Sequence, residues 1–310
     1  MTAHPAHPAD RPAAPRPGET PEAAHDAGVP GPGIEAPLFT AHLEESLDLA
    51  LRELAGRGRI LVGLDFDGVL APIVLDPRTS RMLPVSAEAV AGLAELPGVD
   101  VVLVSGREAS DLVALAGLPA GSRVIGSHGA QWGRVVDSPD GGTTLEAEPV
   151  GLTEEQARLR AELLRETEAL AAEVEGAWVQ AKPAAVVLHT RPAEREPGER
   201  LTRRVLDGPA AREGVRVVVG KEVVEMAVLE VTKGDALHQL RGALGVDAVL
   251  YAGDDTTDED AFAVLGEGDV SIKVGDGESG AAYRVTDPEE FSAVLVRLLE
   301  LRQEAQDSHL

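Results

Sequence analysis

The fold class is decided by residues 61–70, where a short apolar run ends in two aspartates and a glycine: Leu61-Val62-Gly63-Leu64-Asp65-Phe66-Asp67-Gly68-Val69-Leu70. An uninterrupted apolar run of this length is typical of a parallel strand buried on both faces. In an open α/β sheet, ligands bind beyond the carboxyl ends of the strands. Asp65 and Asp67 would therefore stand where such a sheet does its chemistry. An isolated Asp-x-Asp-Gly can equally be an acidic turn that merely ends a strand, so the rest of the chain has to decide.

Similar apolar runs recur along the chain, at residues 60–64, 101–104, 124–125, 249–252 and 270–274. Helix-like stretches lie between several of them, for example at residues 86–96, and a further helix is expected at 38–55. Strands that alternate with helices indicate βαβ units. The sequence therefore predicts an α/β fold with a doubly wound, Rossmann-like parallel sheet.

Residues 151–229 break this rhythm. They open with Thr153-Glu154-Glu155-Gln156, a capping box ahead of a helix. Two strand-like runs follow, at 186–189 and 215–219, with a charged, helix-like stretch between them. We therefore expect a smaller α/β cap domain that is inserted into the core and lies over its crevice. The expected core consists of residues 38–150 and 230–310.

Composition narrows the class of partner. The 310 residues include 53 acidic and 28 basic side chains, a net charge of −25, which repels nucleic acid and anionic membranes. The chain has no cysteine, which excludes a disulfide framework and a thiolate metal site. Neither a signal peptide nor the ~20 apolar residues of a membrane helix can be recognised. We expect a soluble cytoplasmic protein that acts on a small molecule, without nucleic-acid or membrane partners, and take a monomer as the working assumption.

The N-terminal residues 1–37 differ from the rest in being rich in proline and alanine. Such a composition buries too little apolar surface to order itself, so a disordered tail is expected. His4, His7 and His25 lie in this tail, and we do not interpret them as a metal site because flexible, isolated histidines seldom form one.

Four short motifs border the apolar runs of the core: Asp65-Phe66-Asp67-Gly68, Ser105-Gly106-Arg107, Lys233-Gly234 and Gly253-Asp254-Asp255-Thr256-Thr257-Asp258. A carboxylate can attack phosphorus and form an aspartyl-phosphate if the charge on the phosphoryl oxygens is masked. Asp65 is the candidate nucleophile. Asp67, two residues on, is the candidate general acid and, in a second step, the candidate base.

The other motifs offer groups that bind anions and metals. Ser105 and Lys233 are candidate catalytic contacts to phosphate, although Ser105 can instead be a helix N-cap and Lys233 an ordinary surface lysine. Carboxylates suit Mg²⁺, a hard cation that bridges to phosphate. The acidic run at 253–260 can also be a solvated helix start. A calcium loop is not supported, because Glu259 stands where such a loop needs glycine.

The order of these motifs resembles that of the haloacid dehalogenase-like phosphatases, and the fuller run Gly253–Asp260 resembles the trehalose-phosphate phosphatases; the likeness covers about residues 59–295. It implies a hydrolase core and hydrolysis of trehalose 6-phosphate in trehalose biosynthesis. It also implies an Mg²⁺ site made of Asp65, the Asp67 backbone carbonyl and Asp254. Asp258 would support the metal, with Asp255 as the open alternative.

Three cap segments, at residues 178–182, 189–191 and 220–225, resemble those with which these phosphatases hold the disaccharide. The candidate substrate-binding residues are Gly106, Arg107, His128, Lys182, His189, Arg191, Lys221 and Glu225. In one strand His189 and Arg191 would share a face, whereas Lys182 has the opposite parity unless Pro183 resets the strand. These side chains can also be the solvent face of a half-buried sheet.

The exact sugar stays open, because the chain departs from the family pattern at Val69, Gln180, Thr190, Ala227 and Val228. The alternatives are a phosphatase for another sugar phosphate, a phosphotransferase or mutase, and a non-catalytic regulator that binds a sugar phosphate. In the enzyme interpretation, closure of the cap is expected to exclude water from the site.

Overall fold

The computed structural model describes residues 43–307. The tail predicted at residues 1–37, with its three histidines, lies outside the described residues. So does the start of the helix expected at 38–55, of which the described part begins at Glu45.

The strands, in chain order, are β1 (Ile60–Leu64), β2 (Val99–Val104), β3 (Arg123–Gly126), β4 (Gln131–Asp137), β5 (Thr143–Ala147), β6 (Trp178–Lys182), β7 (Ala185–His189), β8 (Arg216–Gly220), β9 (Val223–Ala227), β10 (Ala248–Gly253), β11 (Val270–Val274) and β12 (Tyr283–Val285). The α-helices are α1 (Glu45–Ala55), α2 (Pro84–Glu95), α3 (Ala109–Ala116), α4 (Glu154–Ala171), α5 (Arg195–Asp207), α6 (Lys233–Leu244), α7 (Glu259–Phe262) and α8 (Pro288–Asp307).

The larger sheet has eight strands in the order β12-β11-β10-β1-β2-β3-β4-β5. The six strands from β12 to β3 are parallel, and β4 and β5 add an antiparallel hairpin at one edge. Strand β1 lies between β10 and β2, so the chain turns to opposite sides of it. The α/β class and the doubly wound parallel sheet are confirmed, whereas the hairpin at residues 131–147 was not predicted.

Alternate residues of the central strands point into two apolar layers. In β1, Ile60, Val62 and Leu64 pack towards α1, α2, α3 and α8, while Leu61 packs towards α6 and α7. Because both faces are covered, β1 is buried along its whole length. This double burial explains why its sequence reads as an uninterrupted apolar run.

The smaller sheet is antiparallel, with four strands in the order β6-β7-β9-β8. Its outer face packs on α4 and α5 through Val186, Leu188, Val224 and Met226. The capping box predicted at Thr153 is present and begins α4. The expectation of two strands here is wrong, because β6 is exposed or half-buried at most of its residues and carries Gln180 and Lys182, and because Glu225 interrupts the apolar residues of β9.

Within residues 43–307, none of the helices combines the length and the apolar character needed to cross a membrane.

Candidate active site

The centre of the candidate site is Asp65, directly after β1. Its backbone N–H donates to the carbonyl oxygen of Ala252 in β10 at 3.0 Å. One carboxylate oxygen accepts the N–H of Phe66 at 2.7 Å, and the other accepts the Lys233 ammonium at 2.9 Å. The residue is only 6% exposed. The carboxylate is therefore held at the carboxyl end of the central strand, where parallel sheets bind ligands.

Lys233 is the first residue of α6, and its start is set by a capping box between Thr232 and Asp235. The side chain is buried, and its Nζ donates to Asp65 and, at 2.8 Å, to Asp258. An ammonium buried between two carboxylates is not an ordinary surface lysine, so that alternative is wrong.

Asp258 is completely buried, and both of its carboxylate oxygens are occupied. Oδ1 accepts Lys233 and the hydroxyl of Tyr251 at 2.7 Å, while Oδ2 accepts the N–H groups of Asp254 and Asp255 at 3.1 and 3.0 Å. The Asp255 carboxylate instead caps its own turn. With four donors on it, Asp258 is suited to fixing the loop that carries Asp254.

Asp254 lies against Gly68, the glycine of the first motif. A Cβ at Gly68 would lie 2.0 Å from Asp254 Oδ2, and the φ of Gly68 is +77°, which favours glycine. The carbonyl oxygen of Asp254 accepts a hydrogen bond from the buried Lys273 of β11. Asp254 is thus in contact with one motif and fixed by a neighbouring strand.

Three carboxylates form a possible cation site, because oxygens of Asp65, Asp254 and Asp258 lie within 4.8 Å of one another. Burial and the neighbouring carboxylates raise the pKa of Asp65 to about 7, against the effect of Lys233. Burial and Asp258 raise the pKa of Asp254 to about 6. Burial alone would lower the pKa of Lys233, but its two carboxylate partners raise it. A hard dication such as Mg²⁺ fits this set of oxygens, since its charge would offset the burial and the repulsion that raise both carboxyl pKa values.

Asp67 is more exposed and is held by two side chains. Arg107 makes a two-pronged ion pair with it, from Nε at 2.5 Å and from Nη2 at 2.7 Å. The hydroxyl of Ser80, which is completely buried, donates to Oδ1 at 3.0 Å. A guanidinium in this geometry stabilises the carboxylate anion and fixes its plane. Arg107, expected as a substrate contact, therefore contacts the candidate general acid.

Ser105 follows β2 and is buried. Its Oγ accepts the backbone N–H of Arg107 at 3.3 Å, and its own N–H donates to the carbonyl oxygen of Ile125 at 2.9 Å. Helix α3 begins later, with Glu108 as its N-cap. The alternative that Ser105 is the N-cap is therefore wrong.

His128 lies in a turn that contacts the loop of residues 105–108, which joins β2 to α3. Ser127 and His128 both have positive φ values, 49° and 56°, and their N–H groups donate to the carbonyl oxygens of Arg107 and Ser105 at 2.7 and 3.0 Å. The ring packs on Gly106, where a Cβ would lie 2.5 Å from it. Burial lowers the pKa of His128 to about 4. A neutral imidazole therefore lies beside the loop at physiological pH.

Lys182, on β6, links the smaller sheet to the same loop. Its Nζ donates to the carbonyl oxygen of Gly106 at 3.2 Å and to Glu225 at 2.8 Å. Lys182 pairs with Ala185 across a two-residue turn, and this register places it on the same face as His189. Of the two options predicted for Lys182, the reset at Pro183 is the one observed, because Pro183 and Ala184 form the turn and parity counted along one strand does not hold across a hairpin.

The other predicted cap residues lie near the end of β7. His189 is its last residue, so Arg191 is beyond the strand and the expectation of a shared strand face is wrong. The Arg191 guanidinium is 3.5 Å from the carbonyl oxygen of Leu75 in the core and 3.5 Å from Glu222. Lys221 is exposed in the turn between β8 and β9. Of the predicted cations, Lys182 contacts the core loop and Lys221 remains in solvent.

Sequence reasoning missed Ser80, Tyr251 and Lys273. Tyr251 and Lys273 did leave a signal, since a hydroxyl and an ammonium inside buried strands need polar partners. Ser80 left none, because the segment between β1 and α2 has no regular pattern.

Comparison with known proteins gives a result that is consistent with this geometry. Residues 63–289 match the family model described as trehalose-phosphatase. The chain is 32% identical over 262 residues to the bifunctional trehalose-6-phosphate synthase/phosphatase of Thermoproteus tenax, covering 83% of this chain and 34% of that protein. It is 34% identical over 236 residues to the trehalose-phosphate phosphatase of Mycobacterium marinum, covering 72% and 55%.

A solved structure agrees with this match. The crystal structure of a trehalose-6-phosphate phosphatase related protein superimposes with a TM-score of 0.61 and 26% identity, covering 79% of this chain and 99% of that one. The two curated relatives are longer than the match, since the chain spans 34% and 55% of their lengths.

Proposed function

The chain belongs to the trehalose-phosphatase family, and from that premise we propose that it hydrolyses trehalose 6-phosphate to trehalose and phosphate. The observation that carries the proposal is the buried Asp65, which is paired with Lys233 and followed two residues later by the more exposed Asp67. A buried carboxylate with a fixed counter-cation is suited to attack on phosphorus, and a carboxyl group at the edge of the site is suited to proton transfer.

The proposed first step transfers the phosphoryl group to the protein. An oxygen of Asp65 forms a bond to phosphorus while the bond from phosphorus to the sugar oxygen breaks. Asp67 gives its proton to that oxygen, so trehalose leaves as a neutral alcohol. The proton on Asp67 is the one that it takes from water in the second step of the preceding cycle. A neutral carboxyl group is a much weaker acceptor for a guanidinium than a carboxylate, so Arg107 has to release Asp67 when that proton is bound.

The second step regenerates the protein. Asp67, now ionised, takes a proton from a water molecule whose oxygen attacks the phosphorus. The bond between phosphorus and Asp65 breaks, and inorganic phosphate leaves. Lys233 stays beside Asp65 in both steps and offsets the negative charge on the reacting oxygens.

We propose that Mg²⁺ binds at Asp65, Asp254 and the Asp67 backbone carbonyl, with Asp258 holding the Asp254 loop in place. When bound, the ion supplies positive charge that masks the phosphoryl oxygens from the Asp65 carboxylate. The cluster of carboxylate oxygens within 4.8 Å supports this assignment.

We further propose that residues 151–229 act as a cap on a core of residues 38–150 and 230–310. The contact of Lys182 with Gly106 and that of Arg191 with Leu75 support this division, since each joins the smaller sheet to a loop of the larger one. Recognition of the sugar would then belong to the cap, and the chemistry to the core.

The test is phosphate release by the full chain from a panel of sugar phosphates that includes trehalose 6-phosphate, sucrose 6-phosphate and glucose 6-phosphate. Each is assayed with Mg²⁺ and with a chelator. We expect release from trehalose 6-phosphate alone, and none with chelator. Selective release from another sugar would overturn the substrate while leaving the chemistry, and binding without release from any sugar would favour a regulator.

The pKa values of the carboxyl cluster predict how Mg²⁺ binding depends on pH. Asp65 and Asp254, with pKa values of about 7 and 6, carry protons in the metal-free protein at lower pH. The ion has to displace those protons, so the affinity for Mg²⁺ is expected to rise from pH 5.5 to pH 7.5 and to level off above that. Titration calorimetry in buffers of different ionisation enthalpy measures both the affinity and the protons released.

Asp254→Asn is the informative variant for this prediction, and Asp111→Asn, on the exposed start of α3, is its control. The first should weaken Mg²⁺ binding and release fewer protons, and the second should do neither. An affinity that does not change with pH would contradict the assignment of these two carboxyl groups to the metal.

A further inference from the structure

A chain of polar contacts runs from the core into the smaller sheet and ends on an imidazole. The side-chain amide of Gln180, on β6, donates from Nε2 to the Glu108 carboxylate of the core at 2.7 Å. Its Oε1 lies 3.1 Å from Nε2 of His189 on β7. Trp178 stacks on the His189 ring with 3.9 Å between ring centroids and 9° between planes.

The chemistry of these groups fixes the direction of both hydrogen bonds in the series Glu108–Gln180–His189. A carboxylate only accepts, so Gln180 must turn its NH₂ group towards Glu108 and its oxygen towards His189. That oxygen only accepts, so His189 must carry its hydrogen on Nε2. In the neutral ring the other nitrogen, Nδ1, is then an acceptor.

The surroundings of His189 keep the ring neutral and in one orientation. Burial lowers its pKa, and Lys182 and Arg191 lower it further against the opposing effect of Glu225. The stacked Trp178 sets the plane of the ring. His189 shares a sheet face with Lys182, and Lys182 donates to the carbonyl oxygen of Gly106 in the loop of residues 105–108.

We propose that Glu108 and Gln180 are positioning residues that set the tautomer of His189, so that its Nδ1 accepts a hydrogen bond from a hydroxyl group of the bound sugar. The proposal rests on the proposed function for the identity of the sugar, but the tautomer itself does not. Glu108 is the N-cap of α3, yet its side chain makes no capping hydrogen bond and instead reaches Gln180.

The chain of contacts has one member in the core and two on the smaller sheet. The series is therefore complete only when Glu108 of the core contacts Gln180 of the smaller sheet, as it does in this structure. The acceptor at His189 is consequently set up together with closure of the site, which links recognition of the hydroxyl group to closure.

The decisive variant is Glu108→Lys, because an ammonium only donates. Gln180 would have to turn its oxygen to the new lysine and its NH₂ to His189, which moves the imidazole hydrogen to Nδ1 and removes the acceptor. Glu108→Gln is the matched control. A side-chain amide at 108 can still accept from Gln180, so the tautomer should stay as it is.

The tautomer is measured by long-range ¹H–¹⁵N correlation spectra of the full chain at pH 7.5, with the His189 signals assigned from their loss in His189→Asn. We expect hydrogen on Nε2 in the wild type and in Glu108→Gln, and on Nδ1 in Glu108→Lys. Hydrogen on Nδ1 in the wild type, or a charged ring, would overturn the proposal whether or not the protein is a phosphatase.

Kinetics supply the second readout. Glu108→Lys is expected to raise KM for trehalose 6-phosphate by about tenfold with kcat within twofold, and to weaken inhibition by trehalose, which has no phosphate. Added positive charge near an anionic substrate would by itself lower KM, so a rise is diagnostic. A KM equal to that of Glu108→Gln would refute the proposal, whereas a wild type without turnover would refute the proposed function instead.

Discussion

Asp65→Asn is expected to lower the rate of phosphate release by at least about 10⁴-fold, because the amide cannot serve as the nucleophile and no other group in the cluster replaces it. The hydrogen bond between Lys233 and Asp258 keeps both residues in place in the variant, and asparagine has nearly the shape of aspartate. The loss should therefore fall on kcat. Release of phosphate at saturating substrate, with Mg²⁺, measures it.

A chemical readout separates loss of the nucleophile from a general loss of activity. Wild-type protein quenched in acid during turnover of labelled substrate should retain an acid-stable, hydroxylamine-labile phosphoryl group, and Asp65→Asn should retain none. Asp111→Asn, an exposed carboxyl group outside the site, should behave as wild type. A labelled Asp65→Asn protein, or normal turnover by it, would refute the proposed mechanism.

Lys233→Met is expected to destabilise the metal-free protein by about 3–5 kcal/mol at pH 7.5, since it leaves two buried carboxylates without their counter-cation. The pH dependence has a definite sign. The pKa of Asp65 is 3.8 in the unfolded chain and about 7 in the folded protein, so folding takes up a proton between these two pH values. The free energy of unfolding therefore falls as the pH rises from 3.8 to about 7. Without Lys233 the pKa of Asp65 in the folded protein rises further, because Lys233 lowers it. The loss of stability in Lys233→Met should therefore be small near pH 4.5 and largest above pH 7.

Chemical denaturation of both proteins in the presence of chelator, at several pH values, checks this expectation. Lys221→Met is the control, because it removes an equal charge from an exposed position. It should change the free energy of unfolding by no more than about 0.5 kcal/mol. A Lys233→Met deficit that stays constant with pH would mean that the lysine contributes by packing and not by its charge.

Much of the larger sheet and of the candidate active site could be predicted from the sequence, since their signals are local. Strand β1 was predicted with the bounds observed, and parallel strands bring residues from distant parts of the chain to one edge of the sheet. Asp65 and Asp254 converge for that reason, and Lys233 reaches Asp65 from the first position of α6. The hairpin β4–β5 gave no such signal, because β5 is largely exposed and lacks an apolar run.

The contacts between the sheets could not be predicted in the same way. The side of β6 that faces the core depends on the two-residue turn before β7, and a shift of one residue would move Lys182 to the other face. Ser80 and Glu108 reach their partners through side-chain geometry that no periodicity encodes. The tail, the monomeric state and the cytoplasmic location stay predictions.

The absence of a side chain at Gly68 limits which substitutions evolution can fix at this position. Any other residue there would push a carbon atom into Asp254, so the first and last motifs of the core cannot drift independently. On the inner face of the smaller sheet, Gln180 and His189 contact each other through side chains, so a substitution there removes a contact without forcing a clash of this kind. Under the proposed function, descendants of such a protein can therefore change the sugar that they recognise while retaining the same chemistry.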